Sequence, residues 1–292
     1  MAKTREIKKR IKAVGNIRRI TKTMQMIATS KFARAQQAAT AGKPYSETLF
    51  ELVMQLSATL GDDASHPLLQ SAAGGKDLTL VLTSDRGLCG PYNGGVLRQA
   101  MGLFRGTASA KEGEIELVGK KGLSFLKFSG ISVSKHHTQF GDKPSYDAVR
   151  ELAEEFMRRF LAGEVSTVRV VYMKYISASR QSPTVMQLLP FKAESKAKAA
   201  EAKTGPASIY EFTPSAHDLL DDLLPAAVKA QLFQAFNDAV VSEHVARMVA
   251  MKAATDNAGK MGKLYTRKFN RARQAQITTE LTEIISGAAA LA

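Results

Sequence analysis

The stretch whose residues could best support binding or catalysis is TSDRGLCG, residues Thr83–Gly90. It follows a strand-like run and leads toward a helix. Glycines at such a turn can let backbone amides cradle a phosphate at a helix N-terminus. The spacing matches neither G-x-G-x-x-G nor G-x-x-x-x-G-K-[ST], so the nucleotide signal is weak. The remaining interpretations are a structural turn and a partner-contact loop, and the charged pair Asp85 and Arg86 favours a partner contact.

Other reactive residue types do not gather into a recognisable set. Cys89 is the only cysteine, which excludes an internal disulfide and a cysteine-cluster metal site. The five histidines show no ligand spacing, and His136 and His137 lie in a polar stretch that predicts surface positions. No Ser/His/Asp set or carboxylate pair stands out, so the sequence predicts no catalytic residue, no bound cofactor and no metal.

Positive charge is concentrated near the two ends of the chain. The net charge is +14, from 41 Lys and Arg against 27 Asp and Glu. Residues 1–36 carry eleven basic side chains against one acid, and residues 247–273 carry eight against one. Such segments bind nucleic acid, an anionic membrane or an acidic protein surface, and composition leaves these three open.

The elements that position these charges begin with a long predicted helix over residues 4–59, in which Pro44 could introduce a kink or a division. Apolar residues recur in it at steps of three and four, which predicts one apolar stripe on a basic helix. The stripe consists of Ile7, Ile11, Val14, Ile17, Ile20, Met24 and Ile27.

The middle of the chain alternates between strand-like and helical patterns. Strands are predicted at 77–83, 115–118, 168–175 and 185–189, with a weaker candidate at 131–133, and helices at 94–104, 122–128 and 146–161. This alternation predicts a mostly parallel sheet with helices on its faces. The Lys/Ala/Glu-rich segment 191–206 has no apolar periodicity and predicts a surface loop or insertion.

A second long helix is predicted over residues 215–291, and at ~1.5 Å per residue it is far longer than the central domain is wide. Its natural partner is the N-terminal helix, in an antiparallel coiled coil whose paired residue numbers sum to about 273. The predicted fold is therefore a central Rossmann-like α/β domain inserted between long N- and C-terminal helices that form an antiparallel coiled-coil shaft. The predicted boundaries are 1–62, 76–192, 193–213 for the loop, and 214–292.

Three stretches of this sequence resemble F-type ATP synthase gamma subunits. The first is IKKRIKAV, residues Ile7–Val14, running on through ITKTMQMIATSKFARAQ, residues Ile20–Gln36. The second and closer match is at the C-terminal end, with SEHVARMVAMKAATDNAGKM from Ser242 to Met261 and RARQAQITTELTEIISGAAAL from Arg271 to Leu291. The third is the SDRGLCG loop, and together the three sample both ends and the middle of the chain.

The resemblance implies a central shaft without catalysis of its own, turned by proton flow through a membrane c-ring inside a catalytic ring of alpha and beta subunits. It also implies contact with an epsilon subunit. Arg273 and Gln274 match positions that meet a catalytic-subunit loop. Arg86, and the basic side chains around Met24 and Arg247, match positions that face acidic loops at the base of the ring, and Glu211 matches a position near the c-ring.

The match begins within a few residues of Met1, which predicts a bacterial protein at the cytoplasmic face of the inner membrane, attached only through the complex. Two other classes fit some of the observations. A basic coiled-coil nucleic-acid-binding protein would explain the charge, and salt-dependent retention on DNA would favour it. A nucleotide-dependent α/β enzyme would need a phosphate loop that this sequence lacks.

Overall fold

A computed structural model describes residues 2–60, 66–70, 74–191 and 215–291. Two compact units divide the chain. The helical unit comprises Met1–Ser30 and Arg247–Ala292, and the sheet unit comprises Lys31–Ala246. Among the described residues, no helix combines the length and the apolar character that a membrane span requires.

Two long helices, one near each end of the chain, contribute to both units. Helix α1 covers Ala2–Leu60 and helix α6 covers Ala216–Leu291. Pro44 lies inside α1 without dividing it. In that turn the hydroxyl of Ser46 donates a hydrogen bond to the carbonyl of Gly42 at 3.2 Å.

The sheet unit contains five strands in the order β3-β2-β1-β4-β5. The first four are parallel to their neighbours, and β5 runs antiparallel to β4. This confirms the predicted mostly parallel sheet with long terminal helices. The strands are β1 Lys76–Leu82, β2 Glu114–Val118, β3 Lys135–His137, β4 Val165–Ser177 and β5 Arg180–Leu189. The remaining helices are α2 Tyr92–Gly106, α3 Ala108–Glu112, α4 Lys120–Phe128 and α5 Tyr146–Leu161.

The strand expected at 131–133 is wrong, because those residues finish the turn after α4. The Ile131 amide donates to the carbonyl of Leu126 at 3.0 Å, and the edge strand begins only at Lys135. The surface prediction for His137 is also wrong. His137 is buried, and its Nε2 lies 2.6 Å from a carboxylate oxygen of Glu116 on the neighbouring strand.

The helices of the sheet unit pack their apolar faces against the sheet. Helix α5 begins where the Ser145 hydroxyl accepts a hydrogen bond from the Ala148 amide, and its apolar face is buried. The larger core joins this face to β1, β4 and parts of α1 and α6 within the sheet unit. A smaller core joins α2 and α4 to β1, β2 and β4.

The helical unit is an antiparallel pair. The Thr21 and Thr255 hydroxyls are 2.8 Å apart, and Gly262 faces Val14. Both pairs of numbers sum to 276, within one helical turn of the predicted 273. Since α1 begins at Ala2, α6 has no α1 residue beside it beyond about Gln276, the residue that accepts a hydrogen bond from Thr4.

The predicted apolar stripe of α1 is buried only in part. Val14 and Ala28 are buried, whereas Ile17, Ile20 and Ile27 are all more than half exposed. The positions that face α6 include Arg18, which lies beside Gly259. Four residues of the predicted stripe are thus buried or half-buried, namely Ile7, Ile11, Val14 and Met24. The other three isoleucines form a second face, which we call the outer stripe (Ile17, Ile20 and Ile27).

Candidate functional site

The SDRGLCG loop leaves β1 and is fastened to α2 by a pair of side chains. The backbone amide of Ser84 donates to Oδ1 of Asn93 at 3.0 Å, and Nδ2 of Asn93 donates to Oγ of Ser84 at 2.7 Å. The Ser84 hydroxyl also donates to the carbonyl of Arg86 at 2.7 Å. These bonds fix the start of the loop, and Cys89 anchors its end because that side chain is buried.

The loop also uses the amides at the start of α4. The Lys120 amide donates to the Asp85 carboxylate at 3.2 Å, and the Lys121 amide donates to the carbonyl of Ser84 at 3.1 Å. The next amide, of Gly122, donates to the Thr83 hydroxyl at 3.1 Å. A phosphate at the start of α4 would have to displace these bonds, so this side of the loop is shaped by its own contacts.

Arg86 belongs to a cluster of charges that gathers several parts of the sheet unit. Its guanidinium lies 3.6 Å from a carboxylate oxygen of Asp142, and the Lys31 ammonium donates to the same oxygen. The hydrogen bond from Lys31 is the main cause that lowers the pKa of Asp142, and the charge of Arg86 adds to it. The carboxylate therefore stays ionised, and Arg86 is held while its side chain remains largely exposed.

The helical unit contains four of the predicted contact residues. Arg273 and Gln274 are exposed on α6, level with the first residues of α1. Met24 and Arg247 are half-buried on facing helices. In the observed register Met24 lies level with Lys252, so Met24 and Arg247 are separated by about five residues along the pair.

Asp85 and Arg86 are neighbours in the sheet unit, and Glu211 lies outside the described residues. The geometry of the chain alone does not test the assigned roles, so the partner contacts of all seven residues stay predictions. Sequence reasoning missed Asn93 and Asp142, since one polar side chain on a helix and one in a loop give no pattern that distinguishes a clamp from a solvated surface.

Catalytic chemistry finds little support in the described part of the chain. No group of three His, Cys, Asp or Glu side chains among those residues could hold a metal ion. The buried carboxylate of Glu116 has one oxygen 2.6 Å from His137 and the other 3.1 Å from the guanidinium of Arg159. Since both oxygens are engaged by neighbouring elements, this network has a structural explanation.

Known proteins match the chain over nearly its whole length. A family model described as ATP synthase matches residues 3–291. The ATP synthase gamma chain of Rhodopirellula baltica is 41% identical over 295 residues, which span 100% of this chain and 99% of that protein. The gamma chain of Geobacter metallireducens is 42% identical over 293 residues, spanning 99% and 98%.

A likeness in fold agrees with these matches. A chain from the Euglena gracilis mitochondrial ATP synthase superposes with a TM-score of 0.67 at 20% identity, covering 99% of this chain and 95% of that chain. The nucleic-acid-binding alternative gains no support from any of these matches. The chain therefore belongs to the ATP synthase gamma chain family.

Proposed function

We propose that the chain is the central rotor shaft of an F-type ATP synthase, a coupling subunit without a catalytic site of its own. It links proton flow through a membrane c-ring to conformational cycling of a catalytic ring of alpha and beta subunits. The observation that carries the proposal is the match to gamma chains, which is 41% identical and spans the full chain.

The helical unit supports this role through its surface. Its basic residues are mostly exposed, and the outer stripe leaves large apolar side chains in water. A shaft must be held yet released at each step, and exposed ion pairs are worth only ~0.2–1 kcal/mol each, so they exchange readily. The acidic base of the ring is the partner that this charge fits.

The end of α6 also leaves large apolar side chains exposed. Beyond Gln276 the helix has no α1 residue beside it, and Ile277, Leu281 and Ile284 are exposed. A single helix of about fifteen residues is marginal in water, so this segment needs a surrounding partner. We assign that role to the upper part of the alpha/beta ring, with Arg273 and Gln274 at its entrance.

The remaining partners follow from the same assignment. An epsilon subunit and the c-ring bind the sheet unit, with Glu211 near the c-ring. The protein is then peripheral, at the cytoplasmic face of a bacterial inner membrane, and reaches the membrane only through the complex. No nucleotide binds to the chain itself.

The direct test is recovery of the ring. A tagged chain co-expressed with alpha and beta subunits is expected to bring down both in a fixed ratio. Recovery of neither subunit at moderate salt would refute the proposal. Retention of the purified chain on DNA, with a strong salt dependence and no ring, would favour the nucleic-acid alternative instead.

A pair of variants then tests the contact residues. Arg273→Ala with Gln274→Ala is expected to lower ATP turnover of the assembled complex while assembly stays normal, because both side chains are exposed and support no described packing. Arg271→Ala is the matched control, since it removes one exposed cation in the same turn on a different face. Equal turnover in the double variant and the control would remove the role assigned to Arg273 and Gln274.

A further inference from the structure

Helix α4 combines large exposed apolar side chains with a face of lysines. Its inner side is fixed to the sheet unit by Gly122 and Leu126, which are both buried. On the outer side Phe128 is 92% exposed and Phe125 is 40% exposed. The exposed residues of the helix are Lys120, Lys121, Ser124, Phe125, Lys127 and Phe128. Two aromatic rings thus stand in water among three cations.

The sequence around α4 is free of acids. Residues 117–141 include four lysines and neither Asp nor Glu. Lys135 is bonded to Glu155 of α5 at 2.8 Å, and the other three lysines lie on α4 itself. A positive surface without acids of its own attracts an anionic partner.

The course of α4 places the rings at one edge of the sheet unit. The helix begins beside the SDRGLCG loop, where the Lys120 amide donates to Asp85, and it ends shortly before β3, which starts at Lys135. Because β2 and β3 are parallel, Phe128 lies near the amino ends of the strands, at the edge opposite the loop. Under the proposed function the loop faces the ring, so this edge faces the side on which the membrane lies.

The size of the apolar patch favours a lipid surface over a protein. A stable protein interface takes about 800 Å² from each partner. A phenylalanine offers roughly 150–250 Å², so the exposed parts of the two rings supply about a third of that area. The headgroup region of a bilayer is fluid and accepts a protruding ring without a matching pocket, while lysine ammonium groups stay among the phosphates.

We propose that the outer face of α4 is a lipid-contact surface, in which Phe125 and Phe128 enter the headgroup region of an anionic bilayer and the three lysines of the helix meet its phosphates. The inference rests on the proposed function for the side of the sheet unit that faces the membrane. Attachment still depends on the complex, and α4 adds a contact to the bilayer that the complex brings near. Fluid lipids let such a contact slide as the shaft turns.

The first measurement uses tryptophan fluorescence, because the chain contains no tryptophan. Phe128→Trp places a single reporter on α4, and Tyr45→Trp is the matched control because Tyr45 is 62% exposed on α1. The probe is vesicles of phosphatidylglycerol and phosphatidylcholine with brominated acyl chains. The emission of Phe128→Trp is expected to move to shorter wavelengths and to be quenched several-fold more than that of Tyr45→Trp, with an effect that falls as salt rises.

Two results would overturn the lipid contact. Equal quenching of Phe128→Trp and Tyr45→Trp, or no quenching of either, would show that the rings stay in water when the basic chain adsorbs. A response of Phe128→Trp to single-stranded DNA, with none to the vesicles at the same salt, would assign the surface to nucleic acid instead.

The second measurement tests the lysines in the Phe128→Trp chain. Lys120→Gln with Lys127→Gln is expected to raise the vesicle concentration at half-maximal response about tenfold. Lys143→Gln with Lys260→Gln is the control pair, since it removes the same charge from exposed positions outside α4. Equal changes in the two pairs would mean that net charge alone drives adsorption, which contradicts a surface on α4.

Recovery of the alpha/beta ring by the tagged chain is scored separately. A chain that recovers the ring, but whose Phe128→Trp variant does not respond to vesicles, overturns the lipid contact and leaves the proposed function standing. A chain that responds to vesicles and recovers no ring overturns the proposed function, while the lipid contact of α4 stands.

Discussion

The sheet unit and the helical unit place their large apolar side chains in opposite ways. In the sheet unit, Phe156, Leu80 and Leu117 are fully buried. In the helical unit, the face between the helices contains Val14 and Thr255 with glycines, while Ile20 is 57% exposed. The sheet unit therefore contains the core that stabilises it, whereas much of the apolar surface of the helical unit is left for a partner to cover.

Small residues between α1 and α6 explain part of this difference. Gly259 lies beside Arg18 and Gly262 beside Val14, so at these two positions α6 contributes no side chain between the helices. Small residues let two helices approach closely, but they bury little apolar area and so contribute little hydrophobic stabilisation. The register of the two helices is well defined, but few apolar side chains of the helical unit are fully buried.

The largest expected effect is at the centre of the sheet unit. Phe156→Ala should reduce the free energy of unfolding by about 3–5 kcal/mol, because it leaves a cavity in the main core. Phe128→Ala is the matched control, since Phe128 is 92% exposed. Urea denaturation followed by circular dichroism measures both, and equal losses would contradict the contrast between core and surface.

The next effect depends on pH. Burial raises the pKa of Asp238 to about 6, although a hydrogen bond from Gln234 and the charges of Lys174 and Lys43 oppose the shift. A raised folded-state pKa means that the parent chain loses stability as pH rises from about 4 through 6, because the buried carboxylate must ionise. Above that pH the loss is constant.

Asp238→Asn should therefore be more stable than the parent by about 1–3 kcal/mol at pH 8, since asparagine keeps an acceptor for Gln234 without the charge. The difference should shrink as pH falls toward 4.5. Denaturation series at several pH values measure it. A difference that is the same at pH 4.5 and pH 8 would show that Asp238 is not the titrating group.

Glycine substitutions test how tightly each unit is packed. Gly122→Ala should destabilise the chain by about 1–3 kcal/mol, because a Cβ there would lie 2.6 Å from the Thr83 hydroxyl and 2.7 Å from Leu117. Gly259→Ala should instead stabilise it by up to about 1 kcal/mol, since the nearest atom, on Arg18, is 3.7 Å away and alanine favours a helix. Thermal unfolding measures both, and shifts of the same sign would contradict the difference in packing.

The smallest effect on the free chain is expected at the outer stripe. Ile20→Ala should change the free energy of unfolding by no more than about 0.5 kcal/mol, because the side chain is mostly in water. The same change should weaken retention of the alpha/beta ring if a partner covers this stripe. Pull-down at increasing salt measures retention, and unaltered retention would mean that the stripe stays in water in the complex.

Most of the fold could be predicted because apolar residues recur at regular spacings along its helices and strands. Helix α5 lies at Tyr146–Leu161, where its apolar spacing placed it, and the parallel sheet followed from the alternation of elements. The short helix α3 and the polar edge strand at Lys135–His137 could not be predicted, since neither has an apolar pattern. The edge strand depends on pairing with β2 and not on its own residues.

The faces of α1 show a different limit. Sequence reasoning treats an apolar residue as a buried one, and this placed Ile17, Ile20 and Ile27 between the helices. In the structure Thr21 and Ala28 are less exposed than those three isoleucines, which the spacing of apolar residues did not indicate. Of the candidate site, the sequence alone indicated the loop and the basic segments, whereas the clamp by Asn93 depends on tertiary contacts.

The register of the helical pair has a consequence for synthesis on the ribosome. Thr21 bonds to a residue 234 positions later, and Thr4 to one 272 positions later. At roughly 5–20 residues per second, α1 leaves the ribosome on the order of 10–50 s before its partner exists. During that interval both apolar faces of its first thirty residues are uncovered, and it is the dense positive charge of this segment that opposes self-association of nascent chains until α6 has been made.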